Sequence, residues 1–162
     1  MNQTFNLDEI FEMAEQIERN GAKFYAKAAE HTKLTSSKGL LLKLADMEAE
    51  HEKTFAKLRR RFSRKEWQTA ATQPDDEAAL YIRALADGYV FNVNDNPLDT
   101  LNGSQTMHNI LRLAVKLEEN SIIFYLGLKD ITPQNFGRDL IEKIIKEEQA
   151  HIVMLSRELA NL

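Results

Sequence analysis

The sequence predicts an all-α fold, a four-helix bundle made of two antiparallel helix hairpins joined by a long crossover containing a short helix. Three observations predict it. Only 6 glycines and 3 prolines interrupt 162 residues rich in Ala, Leu, Glu and Lys, a composition that favours helices. Apolar residues recur at helical spacing in four long stretches, about 6–30, 37–62, 106–129 and 133–159. The second pair of stretches also repeats the first: Ala14 to Tyr25 superimposes on Ala114 to Tyr125 with a shift of one hundred residues. The length suits one domain spanning residues 1–162.

Each element has its own signals. Asn6, with Glu9 three residues on, reads as a capping box, and Ile10, Met13, Ile17, Phe24 and Ala28 carry the first helix to about Glu30. A Thr- and Ser-rich break over 31–37 leads into the second helix, with Leu40, Leu41, Leu44, Met47, Phe55 and Leu58 as its apolar positions. The pattern weakens over the crossover, about 63–105. There Pro74-Asp75-Asp76-Glu77 opens a short helix through Ala86, Gly88 ends it, and Asn94 to Pro97 form a turn. The third helix runs through Ile110, Leu113, Leu117, Phe124 and Leu128. Thr132-Pro133 reads as an N-cap followed by a first-turn proline, opening the fourth.

Charge and composition exclude several function classes. A net charge of −4 gives no electrostatic case for nucleic acid. The basic run Arg59, Arg60, Arg61, Arg64 and Lys65 lies near a predicted helix C-terminus, where cations complement the dipole. With 0 cysteines, the chain has no disulfide and no Cys-ligated zinc or iron. No apolar run reaches membrane-spanning length and the acidic N-terminus lacks a signal-peptide core, so a cytoplasmic location is expected.

The chemistry lies in two copies of Glu-x-x-His, Glu48–His51 and Glu148–His151, one hundred residues apart. Each is paired with a glutamate on the preceding helix, Glu18 or Glu118. Residues three apart share a helix face, so each glutamate and histidine converge on one point. Carboxylate and imidazole are ligand types suited to iron and manganese, and imidazole also suits zinc. Four ionised glutamates balance two divalent ions, whereas four buried carboxylates alone would have to take up protons. Solvated surface charges would have no reason to repeat in register. Tyr25 and Tyr125, two turns beyond Glu18 and Glu118, are placed to hydrogen-bond the carboxylates or to pack the core. His31 and His108 lack ligand spacing, and Glu50, Glu119 and Glu147 read as solvated. Trp67, Tyr81, Tyr89 and Phe91 are expected to pack on the bundle or on a partner subunit.

Through Glu18 to Tyr25, Glu48 to His51, Glu118 to Tyr125 and Glu148 to His151, the chain resembles the ferritin-like superfamily, and most of all its rubrerythrin branch. The resemblance implies two iron ions bridged by Glu48 and Glu148, with Glu18, Glu118, His51 and His151 as terminal ligands; manganese or a mixed pair fits the same set. It implies an oxidoreductase that reduces hydrogen peroxide or dioxygen. Ser121 stands where rubrerythrins typically place a further glutamate, and the rubredoxin domain they commonly carry is not expected here. Electrons would then come from an external donor, a rubredoxin-like protein or another reductant. Ferroxidase or iron storage, and a metal-stabilised bundle without turnover, share every ligand. A homo-oligomer, first of all a dimer, is the expected assembly.

Overall fold

The computed structural model describes residues 7–62, 64–69, 77–88 and 95–162. All regular structure among them is helical. The four long helices are α1 (Leu7–Glu30), α2 (Thr35–Arg61), α5 (Met107–Ile131) and α6 (Arg138–Asn161), and the crossover contributes α3 (Arg64–Thr69) and α4 (Glu77–Ala86). Asp8 and Glu9 lie in the first turn of α1 and Arg59, Arg60 and Arg61 in the last turn of α2, each sign matching its end of the helix dipole. Arg59 also crosses to α1, pairing with Asp8 at 2.9 Å and Glu15 at 3.1 Å.

Two apolar clusters define the bundle and its topology. One gathers Leu7, Phe11 and Ala14 of α1, Phe55 and Leu58 of α2, Phe124 and Leu128 of α5, and Ile141 and Ile145 of α6. The other gathers Phe24 and Ala28, Leu41 and Leu44, Ile110 and Leu111, and Leu155 from the opposite ends of the same helices. Helix α1 therefore runs against α2, and α5 against α6, while α2 and α5 run the same way. A chain leaving α2 at one end must travel the bundle's length before α5 can begin, which is the physical reason for the crossover. Between the two apolar ends lies a polar layer.

The crossover holds more structure than the single short helix expected. Helix α3 presents Trp67, whose ring lies 4.9 Å from Phe11 and 5.3 Å from Phe136 and whose N–H donates to the Arg59 carbonyl. Helix α4 packs on α5, where Gly127 leaves room for Tyr81 and Ile82; a Cβ there would meet both at 3.0 Å. Tyr81 is otherwise exposed. Pro97–Thr100 forms a 3-10 turn capped by the Asn96 side chain. The expected Asn6 cap, the Pro74 to Asp76 helix start, Asn94, Tyr89 and Phe91 lie outside the described residues.

The start of the last helix differs from the expectation. The Thr132 hydroxyl bonds back to the Leu128 carbonyl at 2.6 Å, so Thr132 closes α5 and caps nothing ahead. Gln134–Phe136 form a 3-10 turn, and α6 begins at Arg138 after Gly137, which sits at φ 94°. The positive φ favours glycine, and a Cβ at Gly137 would come within 2.4 Å of the Leu58 side chain, which would have to shift. Among the described residues, no helix is long and apolar enough to cross a membrane.

Candidate metal centre

Glu18, Glu48, His51, Glu118, Glu148 and His151 all fall in the polar layer, at the middle of their helices, and all are buried. Their ligand atoms form two overlapping groups, Glu18, Glu48, His51 and Glu148 in one and Glu48, Glu118, Glu148 and His151 in the other, with every atom of a group within 4.8 Å of the rest. Glu48 and Glu148 belong to both. Glu148 straddles the centre: Oε1 lies 2.9 Å from His51 Nδ1 and Oε2 lies 2.9 Å from His151 Nδ1. His151 Nδ1 also meets Glu48 at 3.1 Å and Glu118 at 3.3 Å, and His51 Nδ1 meets Glu18 at 3.5 Å. The two rings stack 5.6 Å apart, inclined by 17°.

These close approaches lack hydrogen-bond alignment. Glu18 Oε2, Glu48 Oε1, both Glu148 oxygens and Nδ1 of both histidines are buried without a hydrogen-bond partner. Buried polar atoms are ordinarily satisfied, and leaving one unmade costs roughly 1–3 kcal/mol. Six such atoms facing one another could serve as the donor set of a cation site, and four carboxylates with two imidazoles are chemically suited to two divalent ions of the iron or manganese kind.

In the metal-free protein the cluster neutralises itself with protons. Burial, then the charges of Glu18 and Glu148, push the Glu48 carboxyl well above its usual range. Burial and the charges of Glu18 and Glu118 raise Glu148 to about 8. Burial acts against the charging of both histidines and is outweighed by the carboxylates, which raise His51 to about 11 and His151 to about 9. Burial would also raise Glu18, but the close approach of Glu48 and His51 holds it below the usual value. Glu148, His51 and His151 therefore hold protons at neutral pH that compete with a cation.

The tyrosines hold the carboxylates. Tyr25 Oη donates to Glu118 Oε1, and Tyr125 Oη donates to Glu18 Oε1, each reaching across to the other repeat. Burial and the neighbouring carboxylates push both phenols well above their usual value, so they remain donors. A cavity of about 70 Å³ reaches Glu48 and Glu118 between α1 and α5, bordered by Gly21, Ser121, Asn20, Asn120 and Asp95. The Ser121 hydroxyl bonds its own helix at the Leu117 carbonyl, 3.1 Å away. His31, His108, Glu50 and Glu119 are exposed and away from the cluster. Glu147 corrects the expectation of a merely solvated carboxylate: it is half-buried, with Oε2 2.8 Å from His51 Nε2.

The family model described as rubrerythrin matches residues 9–93, just over half of the chain. The chain belongs to the rubrerythrin family. A crystal structure from Thermotoga maritima, of a candidate ferritin-like diiron-carboxylate protein, matches with a TM-score of 0.77 and 25% sequence identity, covering 99% of this chain and 98% of that one. No curated protein is significantly similar in sequence. The family match spans the first hairpin and enters the crossover. The second hairpin is tied to it by the internal repeat and by the structural likeness over nearly the whole chain, so this rubrerythrin-family protein has a ferritin-like bundle around a buried Glu/His cluster.

Proposed function

We propose that this rubrerythrin-family protein is a di-iron oxidoreductase that reduces hydrogen peroxide, or dioxygen, with electrons from an external donor. The supporting observation is the pair of overlapping ligand groups that share Glu48 and Glu148 and leave six buried donor atoms without hydrogen-bond partners. In this reading Glu48 and Glu148 would be shared between the two ions, Glu18 and His51 would help hold one, and Glu118 and His151 would help hold the other. Two iron ions, when bound, supply the two electrons and the Lewis acidity that peroxide reduction needs.

The chain's own residues do the rest. Tyr25 and Tyr125 fix the terminal carboxylates through their hydroxyls. The apolar clusters above and below the polar layer limit the access of water to the carboxylates and strengthen the charge interactions among them. The cavity beside Gly21 and Ser121 admits a molecule the size of peroxide to the Glu48 and Glu118 side of the cluster. Peroxide takes two electrons and two protons to become two waters. With 0 cysteines, the chain holds no iron–sulfur centre of its own to replace those electrons.

The test is anaerobic loading with ferrous iron, followed by one pulse of peroxide. The iron should oxidise once and stop, and a reduced rubredoxin-like donor should restart peroxide consumption. Rapid oxidation by dioxygen with iron accumulating on repeated ferrous additions, and no reaction with peroxide, would favour a ferroxidase. No reaction with either oxidant would leave a structural metal bundle.

A further inference from the structure

Two adjacent glutamates on α6 face different partners. Glu148 points into the cluster, while Glu147, about 100° round the helix, reaches α2. Its Oε2 lies 2.8 Å from His51 Nε2, and Nδ1 of that ring faces Glu148 and Glu18 at 2.9 and 3.5 Å. His51 is thus held at Nε2 by Glu147, while its Nδ1 faces the central carboxylates without a hydrogen bond. A carboxylate accepting from Nε2–H places the proton there, leaves the Nδ1 lone pair for a cation and makes the imidazole a stronger donor. The other Glu147 oxygen lies 3.8 Å from Lys143 Nζ, one turn back.

The second half of the cluster lacks this support. His151 Nε2 is buried without a hydrogen-bond partner. One hundred residues before Glu147 the chain has Met47, whose thioether is only a weak acceptor, although Lys43 does repeat Lys143. The tyrosine bonds are reciprocal, and Ser121, opposite Gly21 in the repeat, spends its hydroxyl on its own helix.

We propose that Glu147 is a positioning residue that makes the two metal positions unequal, so that the Glu18–His51 position fills first and holds its ion more tightly than the Glu118–His151 position. The proposal rests on the reading of the six residues as a two-metal site.

Titration of the metal-free protein with cobalt(II), followed by visible absorption, tests it. Two resolved steps are expected, the tighter one lost in His51→Ala and the weaker one in His151→Ala. Glu147→Ala should weaken the tighter step by about tenfold or more and leave the other within about threefold, as loss of a partner behind a ligating histidine does. Glu147→Gln keeps an acceptor and should recover part of the loss. Met47→Glu supplies the missing partner and should draw the two steps together. Circular dichroism confirms the fold of each variant, and Met47→Glu tests the proposal even if Glu147→Ala does not fold. Two equal steps in the wild-type protein, or equal shifts of both steps in Glu147→Ala, overturn the inequality. Absence of cobalt binding overturns the two-metal reading itself.

Discussion

The hydroxyl of Tyr25, on α1, donates to the carboxylate of Glu118, on α5, and so ties the first repeat to the second at the buried centre. Tyr125 returns the bond to Glu18. Each hairpin therefore orients the other's glutamate. Tyr25→Phe keeps the ring and its packing but removes that donor. Metal affinity should fall about tenfold through the Glu118 position, the lower end for groups that orient ligands, with Tyr125→Phe acting through Glu18. Equilibrium metal titration of the two variants checks this, and unchanged affinity would reduce the tyrosines to core packing.

Without metal, the protons of the cluster make the fold's stability depend on pH. His51 and His151 bind protons more tightly in the fold, at about 11 and about 9 against 6.5 for the free group. Their stabilisation is complete below pH 6.5 and is lost as pH rises through those folded values. Glu148, raised from 4.5 to about 8, acts in the same direction over its own window. Glu18, held low, acts oppositely, losing its contribution as the solution becomes acidic. The melting temperature of the metal-free protein should therefore fall between pH 6.5 and about pH 9. Several degrees are expected, because about 1 kcal/mol moves Tm by roughly 2–4 °C at this size. Metal loading should flatten the profile, and calorimetry with and without a chelator measures both curves.

Gly137 carries the entry into α6. Its φ of 94° strains any side-chain-bearing residue, and an added Cβ would also meet the Leu58 side chain at 2.4 Å and force it to move. Gly137→Ala should destabilise the fold by at least about 1–2 kcal/mol from backbone strain alone. Denaturant unfolding should show a lower midpoint, and Leu58→Ala in the same chain should not restore it, since the strain at positive φ remains.

The bundle and the convergence of its six buried acidic and histidine residues are legible in the chain because they rest on spacing. Helical periodicity sets which face turns inward, and a register of one hundred residues brings Glu18, Glu48 and His51 to the level of Glu118, Glu148 and His151. What spacing cannot convey is contact across a helix boundary. Glu147 lies off the inward face and looks solvated, yet the crossing of α6 on α2 carries its carboxylate to His51. The same holds for α3, a short helix without amphipathic length, which depends on Trp67 finding Phe11 and Phe136. Thr132-Pro133 misleads for a local reason: the hydroxyl bonds backwards to Leu128, and the next helix waits for Gly137.

Glu147 and Glu148 also separate by function. Glu148 meets both histidines, so Glu148→Ala should abolish binding of both ions, whereas Glu147→Ala should leave two ions bound and weaken one. Metal analysis after gel filtration distinguishes these outcomes, and equal losses in the two variants would mean that the register of α6 toward the centre is wrong.

The most direct measurement is anaerobic titration of the metal-free protein with ferrous iron, monitored by stoichiometry. Two overlapping ligand groups sharing Glu48 and Glu148 predict saturation at two ions per chain. Saturation at one ion, or no binding, would contradict a di-iron centre in this bundle.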